Sequence, residues 1–242
     1  MHWNKCWRGP LLLFTLLPLR LLLGQTTPEM PSASQNPAPV QSVPAPRALL
    51  IMIDPAHGGS EPGAVLNAAI PEKDVTLAIA RRLRQELAAR GIQALLIRDG
   101  DATISTDQRA QIVNSARPSL YIAFHATSQG SGMRIYTTML PAAGDNASPF
   151  VDWQTAQASA ITRSRWVQDQ VAAAIHKTGF PLRSLVAPLR PLNNVTVPAL
   201  AIEIAPTTGD VSQLASVDYQ QMITAALANS IAAIRGKLES AP

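Results

Sequence analysis

Three short apolar runs, each closing on an ionisable side chain, constrain this 242-residue chain more than any other feature. Residues 49–53 run into Asp54 and His57, residues 120–124 run into His125, and the run that starts at Ala199 reaches Glu203. Continuous apolar runs of this length suit strands buried on both faces, the habit of parallel sheets covered by helices. Between them the period changes. Val75, Ile79, Leu83 and Leu87 recur at every fourth position within residues 74–90, with Gly91 as a stop, which predicts an amphipathic helix. Residues 92–97 read as a second strand, 106–116 as a helix capped by Thr106, 133–139 as a further strand, 159–178 as a helix, 199–204 as a buried strand and 219–237 as a closing helix. Residues 141–158 show no period and read as a loop with room for a short helix. The resulting order is β-α-β-α-β followed by β-α-β-α. It predicts a single α/β domain with a mostly parallel twisted sheet and helices on both faces. In such sheets ligands bind outside the carboxyl ends of the strands, where the ionisable residues fall.

This domain spans residues 48–242, and two segments of other composition precede it. Lys5 and Arg8 stand ahead of a leucine-rich stretch, residues 10–24, in the pattern of an export signal. It is shorter than the roughly 20 apolar residues of a comfortable spanning helix. Residues 1–24 therefore read as a signal peptide, and a membrane is a partner only through this leader if it stays uncleaved. Residues 25–47 carry Pro28, Pro31, Pro37, Pro39, Pro44 and Pro46 among Ser, Gln and Ala, and read as an extended linker that cannot bury enough apolar surface to fold. The formal charge of +4 misleads for the same reason. Four of the 20 basic residues and one of the 16 acidic residues precede Ala48, leaving 16 against 15 in the domain. A nearly neutral domain lacks the electrostatic footprint of a nucleic-acid binder. The sole cysteine, Cys6, lies in the leader, so the domain has no disulfide and any metal site must use His, Asp and Glu.

The candidates for chemistry are His57, Glu72, His125 and Glu203. Two imidazoles and one carboxylate form a common catalytic zinc set that leaves a position for water, and Glu203 would add a carboxylate beside it. Each has a plainer explanation. His57, beside Gly58 and Gly59, could hydrogen-bond its own turn, His125 could be a satisfied core histidine, and Glu72 could be a charge favoured by a helix N-terminus. Glu203 has the weakest such alternative, because a carboxylate between Ile202 and Ile204 is expensive unless paired or metal-linked. Glycine-rich nucleotide loops, a nucleophile elbow and an HExxH pair are all missing from the sequence, which sets aside nucleotide enzymes, serine hydrolases and the commonest zinc peptidases.

The stretch Ile51-Met52-Ile53-Asp54-Pro55-Ala56-His57-Gly58-Gly59, with Pro62-Gly63-Ala64 and Glu72-Lys73, resembles the opening of the zinc-dependent N-acetylmuramoyl-L-alanine amidases of the amidase 3 type. The resemblance continues through Arg98, Asp101, Arg109 and Asn114, through Tyr121-Ile122-Ala123-Phe124-His125-Ala126, and through Pro198-Ala199-Leu200-Ala201-Ile202-Glu203. It implies a zinc ion held by His57, Glu72 and His125, with Glu203 as general base and acid. The implied reaction is hydrolysis of the amide between N-acetylmuramic acid and L-alanine in peptidoglycan. The implied partners are the stem peptide and muramic acid, the implied location is the periplasm or cell envelope, and a regulatory protein is left open. The alternatives are a zinc peptidase or amide hydrolase of another substrate, or a non-catalytic peptidoglycan-binding homologue. The sequence departs from the family's usual pattern at Ala56, where glycine is usual, at Thr127, where asparagine is usual, and at Ile204-Ala205-Pro206-Thr207. A methyl group at Ala56 would strain a turn that needed positive φ there.

Overall fold

A computed structural model describes residues 48–140 and 152–240. The leader, the linker and most of the loop expected at 141–158 lie outside the described residues. The central sheet has six strands, in the spatial order β4 (Gln93–Leu96), β1 (Leu50–Pro55), β5 (Leu120–Ala126), β8 (Ala199–Ala205), β6 (Gly132–Thr138) and β7 (Leu182–Ala187). Strands β1, β4, β5 and β8 run parallel. Strand β6 is antiparallel to β8, and β7 is parallel to β6. The sheet is mostly parallel, as expected. A separate hairpin joins β2 (Val65–Asn67) to β3 (Ile70–Pro71).

The alternation of the pleat sorts the side chains onto two faces. Ile51, Ile53, Ile122, Phe124, Leu200 and Ile202 face a large core closed by α1 (Glu72–Ala89), α3 (Ile161–His176) and α4 (Val217–Ala233). Val75, Ile79, Leu83 and Leu87 of α1 are all buried in it, which explains the fourfold spacing of the sequence. A short α5 (Arg235–Glu239) follows α4. The opposite face is thinner. Met52, Tyr121, Ala123, Ala199 and Ala201 meet α2 (Thr106–Ala116) and the segment around Leu192 and Val195. His125 and Glu203 share the parity of Tyr121 and Ala201 and so emerge on this thinner side, at the carboxyl ends of β5 and β8.

Local differences from the expectations have physical reasons. Helix α1 begins at Glu72 rather than Asp74, because Glu72 donates its backbone N–H to the Ala64 carbonyl of the preceding loop and needs no capping side chain. Ser105, not Thr106, caps α2. Its hydroxyl accepts the Gln108 N–H while the Gln108 side chain accepts the Ser105 N–H, a reciprocal capping box. Strand β7 was not expected; it is an edge strand with four of its six residues exposed, and its sequence Leu-Arg-Ser-Leu-Val-Ala shows neither alternation nor a long apolar run. Residues 153–159 form a 3₁₀ helix, the short helix for which the loop left room. Among the described residues no helix is long and apolar enough to cross a membrane.

Candidate metal centre

The loop after β1 turns sharply through His57, which adopts φ of 61°, a region that histidine tolerates better than most residues. Ala56 keeps negative φ and is buried, so the strain expected of its methyl group does not arise; the left-handed position falls one residue later. The loop is held by cations reaching its carbonyls. Arg98 donates to the carbonyls of Pro55, Ala56 and Lys73, and Arg109 donates to those of Pro55 and His57, the last at 2.7 Å. Arg109 also pairs with buried Asp54, whose second oxygen accepts the Tyr121 hydroxyl at 2.5 Å. Burial, with the Asp54 carboxylate beside it, pushes the Tyr121 hydroxyl well above its ordinary pKa, so it acts only as a donor. Asp101 accepts the Gly59 N–H and the Lys73 ammonium, tying the loop to the start of α1.

This scaffold brings His57 against Glu72, which is 4% exposed. His57 Nε2 lies 3.1 Å from Glu72 Oε2, and His125 Nδ1 lies 3.0 Å from Glu72 Oε1. The two rings stand edge to face with centroids 5.5 Å apart. Backbone N–H groups of Ala64 and Ala126 donate to the two Glu72 oxygens at 2.9 and 3.1 Å. Burial alone would raise the Glu72 pKa, but the hydrogen bonds from His125, His57 and Ala64 outweigh it and hold the carboxyl far below the usual range. The Glu72 hydrogen bond in turn raises the His57 pKa against the opposing effect of burial. One ligand atom from each of the three residues lies within 4.8 Å of the other two. Two imidazoles and an ionised carboxylate, converging with their donor atoms inward, fit a borderline metal such as zinc. Three of the four expected site residues are thus brought together.

The fourth, Glu203, lies on the neighbouring strand, its Cα in register with His125. It lines a cavity of about 310 Å³ with Glu72, His125, Thr127, Tyr136 and Leu189. Its Oε2 accepts from Arg134 Nη1 at 2.6 Å and from the Tyr136 hydroxyl at 3.0 Å. The carboxylate is paired, as its place in an apolar strand required, and the sequence reading missed both partners. Across the antiparallel β6–β8 pair Arg134 faces Glu203, but that register is visible only in the folded sheet. A larger depression of about 760 Å³ over α2, bounded by residues such as Thr103, Gln111 and Ile112, carries no ionisable side chain and no comparable chemistry.

Fold and site together define an α/β protein with a His-Glu-His constellation at the strand ends and a paired carboxylate beside it. Residues 51–233 match the family model Amidase_3, described as N-acetylmuramoyl-L-alanine amidase, and the chain belongs to that family. It is 32% identical over 141 residues to the N-acetylmuramoyl-L-alanine amidase AmiC of Escherichia coli O6:H1, a match covering 56% of this chain and 33% of the relative. It is 25% identical over 210 residues to the Mycobacterium tuberculosis amidase Rv3717, covering 74% of this chain and 85% of that one. The chain thus spans about a third of the length of the Escherichia and Neisseria AmiC proteins that it matches. Among solved structures, the amidase AmiC2 of Nostoc punctiforme superposes with a TM-score of 0.58 at 25% identity, over 78% of this chain and 97% of that one. The catalytic domain of CwlV from Paenibacillus polymyxa superposes with a TM-score of 0.60 at 20% identity, over 78% and 98%, and speaks for the fold alone.

Proposed function

We propose that this protein is an exported, zinc-dependent amidase that hydrolyses the bond between N-acetylmuramic acid and the L-alanine of the peptidoglycan stem peptide. The observation that carries this reading is the convergence of His57, Glu72 and His125, from three separate parts of the chain, to within 4.8 Å in ligand atoms beside the cavity that Glu203 lines. Family membership and the amidase relatives support the same substrate, and the leader read from residues 1–24 supports export to it.

His57, Glu72 and His125 would hold the zinc. A zinc ion so held would lower the pKa of water to about 7 and polarise a carbonyl oxygen. The protein's own part in the reaction falls to Glu203. Its Oε2 is fixed by Arg134 and Tyr136, which leaves Oε1 to take a proton from water as the new C–O bond forms at the lactyl carbonyl. As the C–N bond breaks, the same carboxyl returns that proton to the departing alanine nitrogen, so free stem peptide leaves as an amine and the muramoyl group as an acid.

The test is metal content and muropeptide cleavage by the purified protein before and after chelation. Stoichiometric zinc, release of free stem peptide, and loss of both on chelation are expected. Cleavage within the peptide would indicate a zinc peptidase instead, and wall binding without cleavage a non-catalytic homologue. Glu203→Ala should abolish cleavage while zinc stays bound; near-normal activity in that variant would remove Glu203 from the mechanism.

A further inference from the structure

Strand register lines up four residues in one row across the sheet. His125 is paired with Glu203, Glu203 with Arg134, and Arg134 with Arg183 of the edge strand β7. Paired residues of neighbouring strands project from the same face, so the row runs from the His-Glu-His cluster to the sheet edge without a break. Its first half is electrostatically satisfied, since Arg134 donates to Glu203 and to the Gln129 carbonyl. Its second half is not. Arg183 is exposed and, among the described residues, has no carboxylate within 4.0 Å, although it stands beside a second guanidinium. Like charges directly opposite on adjacent strands cost stability unless an anion shares them. Arg134 and Arg183 also line one cavity of about 320 Å³, with Gly130, Ser131, Pro181 and Leu182. Arg134 of that cavity hydrogen-bonds Glu203, which lines the cavity beside the cluster.

The spacing suggests what fits. Strands lie about 4.8 Å apart, so Arg183 stands two strands, or about 10 Å, from Glu203. An extended peptide covers that distance in about three residues at roughly 3.3 Å each. We infer that Arg183, with Arg134, forms a carboxylate-binding subsite that recognises an acidic residue within the first three positions of the peptide released from the scissile amide. This deepens the amidase reading and rests on it for the direction in which the peptide runs. A guanidinium suits the task because its planar fork matches a carboxylate, and the exposed rim position lets the subsite select among peptides without entering the chemistry.

Binding and cleavage test the subsite separately. Titration calorimetry on the zinc-supplemented full chain would compare the tripeptide L-Ala-γ-D-Glu-diaminopimelate with the same peptide amidated at its carboxylates. The free-carboxylate peptide should bind about tenfold more tightly at low salt, the advantage of a charged hydrogen-bonded pair. Arg183→Gln should erase that preference and Arg183→Lys should restore part of it. Equal affinity of the two peptides, no binding of either, or an undiminished preference in Arg183→Gln would overturn the subsite. Muropeptide cleavage, scored in parallel, separates the two readings. Peptide preference without cleavage would retain the subsite and reject the amidase, and cleavage without preference would do the reverse.

Discussion

The smallest residue near the cluster is among the most constrained. Gly63 has φ of +72°, and a Cβ built on it would lie 2.6 Å from His57 Cδ2 and 2.7 Å from Glu72 Oε2. Both neighbours are proposed ligands, Glu72 held by the Ala64 and Ala126 N–H groups and His57 by the Glu61 carboxylate at 3.1 Å, so neither can give way cheaply. Gly63→Ala should therefore displace a ligand and weaken zinc binding by about tenfold or more, the scale at which loss of a ligand's support is felt. Competition with a chromophoric chelator measures this, and unchanged affinity would show that the cluster is softer than its hydrogen bonds suggest. Gly63 could be read in the sequence only as part of a motif, because its constraint comes from side chains six residues before it and nine after. His57, His125 and Glu203 were more legible, since an ionisable residue ending an apolar run has few inexpensive fates. Arg134 and Tyr136 were not. What distinguishes them is a hydrogen bond to Glu203, 69 and 67 positions away.

At the scale of elements, α2 is the least conventionally anchored helix. Its buried residues are Arg109, Ala110 and Val113, too little apolar surface to secure an eleven-residue helix by packing alone. Arg109 supplies the rest through Asp54, the Pro55 and His57 carbonyls, and Ile104 of the preceding loop. The helix, the end of β1 and the His57 turn are thus fastened by one guanidinium. Arg109→Met should cost about 3 to 5 kcal/mol, because it leaves the Asp54 carboxylate buried with only the Tyr121 hydroxyl for company. Combining it with Asp54→Asn should cost less than the two single changes together, since the shared pair is lost once. Urea denaturation of the four proteins measures both quantities, and a loss below about 1 kcal/mol for Arg109→Met would contradict this role. The sequence predicted α2 from its pattern but not its means of attachment. It missed β7 and the β2–β3 hairpin altogether, because an edge strand facing solvent and a two-residue strand leave no period to detect.

Over the whole molecule, the proposed metal links folding to pH and to zinc. An ion that binds only the folded chain at one hundred times its Kd adds about 2.7 kcal/mol. For a domain of this size that is roughly 5 to 11 °C in Tm. Chelated protein should melt lower by that amount, zinc should restore it, and His57→Ala should show no shift in either direction. The sign of the pH dependence follows from the ligand that holds its proton longest. Glu72 is ionised well into acid, because its carboxyl pKa is depressed, so it is ready for metal throughout the neutral range. His57 is different: in the metal-free protein its pKa is raised, and zinc must displace the proton that Glu72 helps to hold. Without metal, that raised pKa makes the His57–Glu72 contact worth most below the ordinary histidine value, and its contribution is lost as pH rises through the raised one. With metal the dependence reverses, since only neutral imidazole can ligate. The zinc-induced rise in Tm should be full above the raised His57 pKa and shrink as pH falls below it. Melting curves with and without zinc across pH 5 to 9 would therefore converge at the acid end and separate toward the alkaline end. Curves that stayed parallel would mean that His57 is not among the groups that hold the ion.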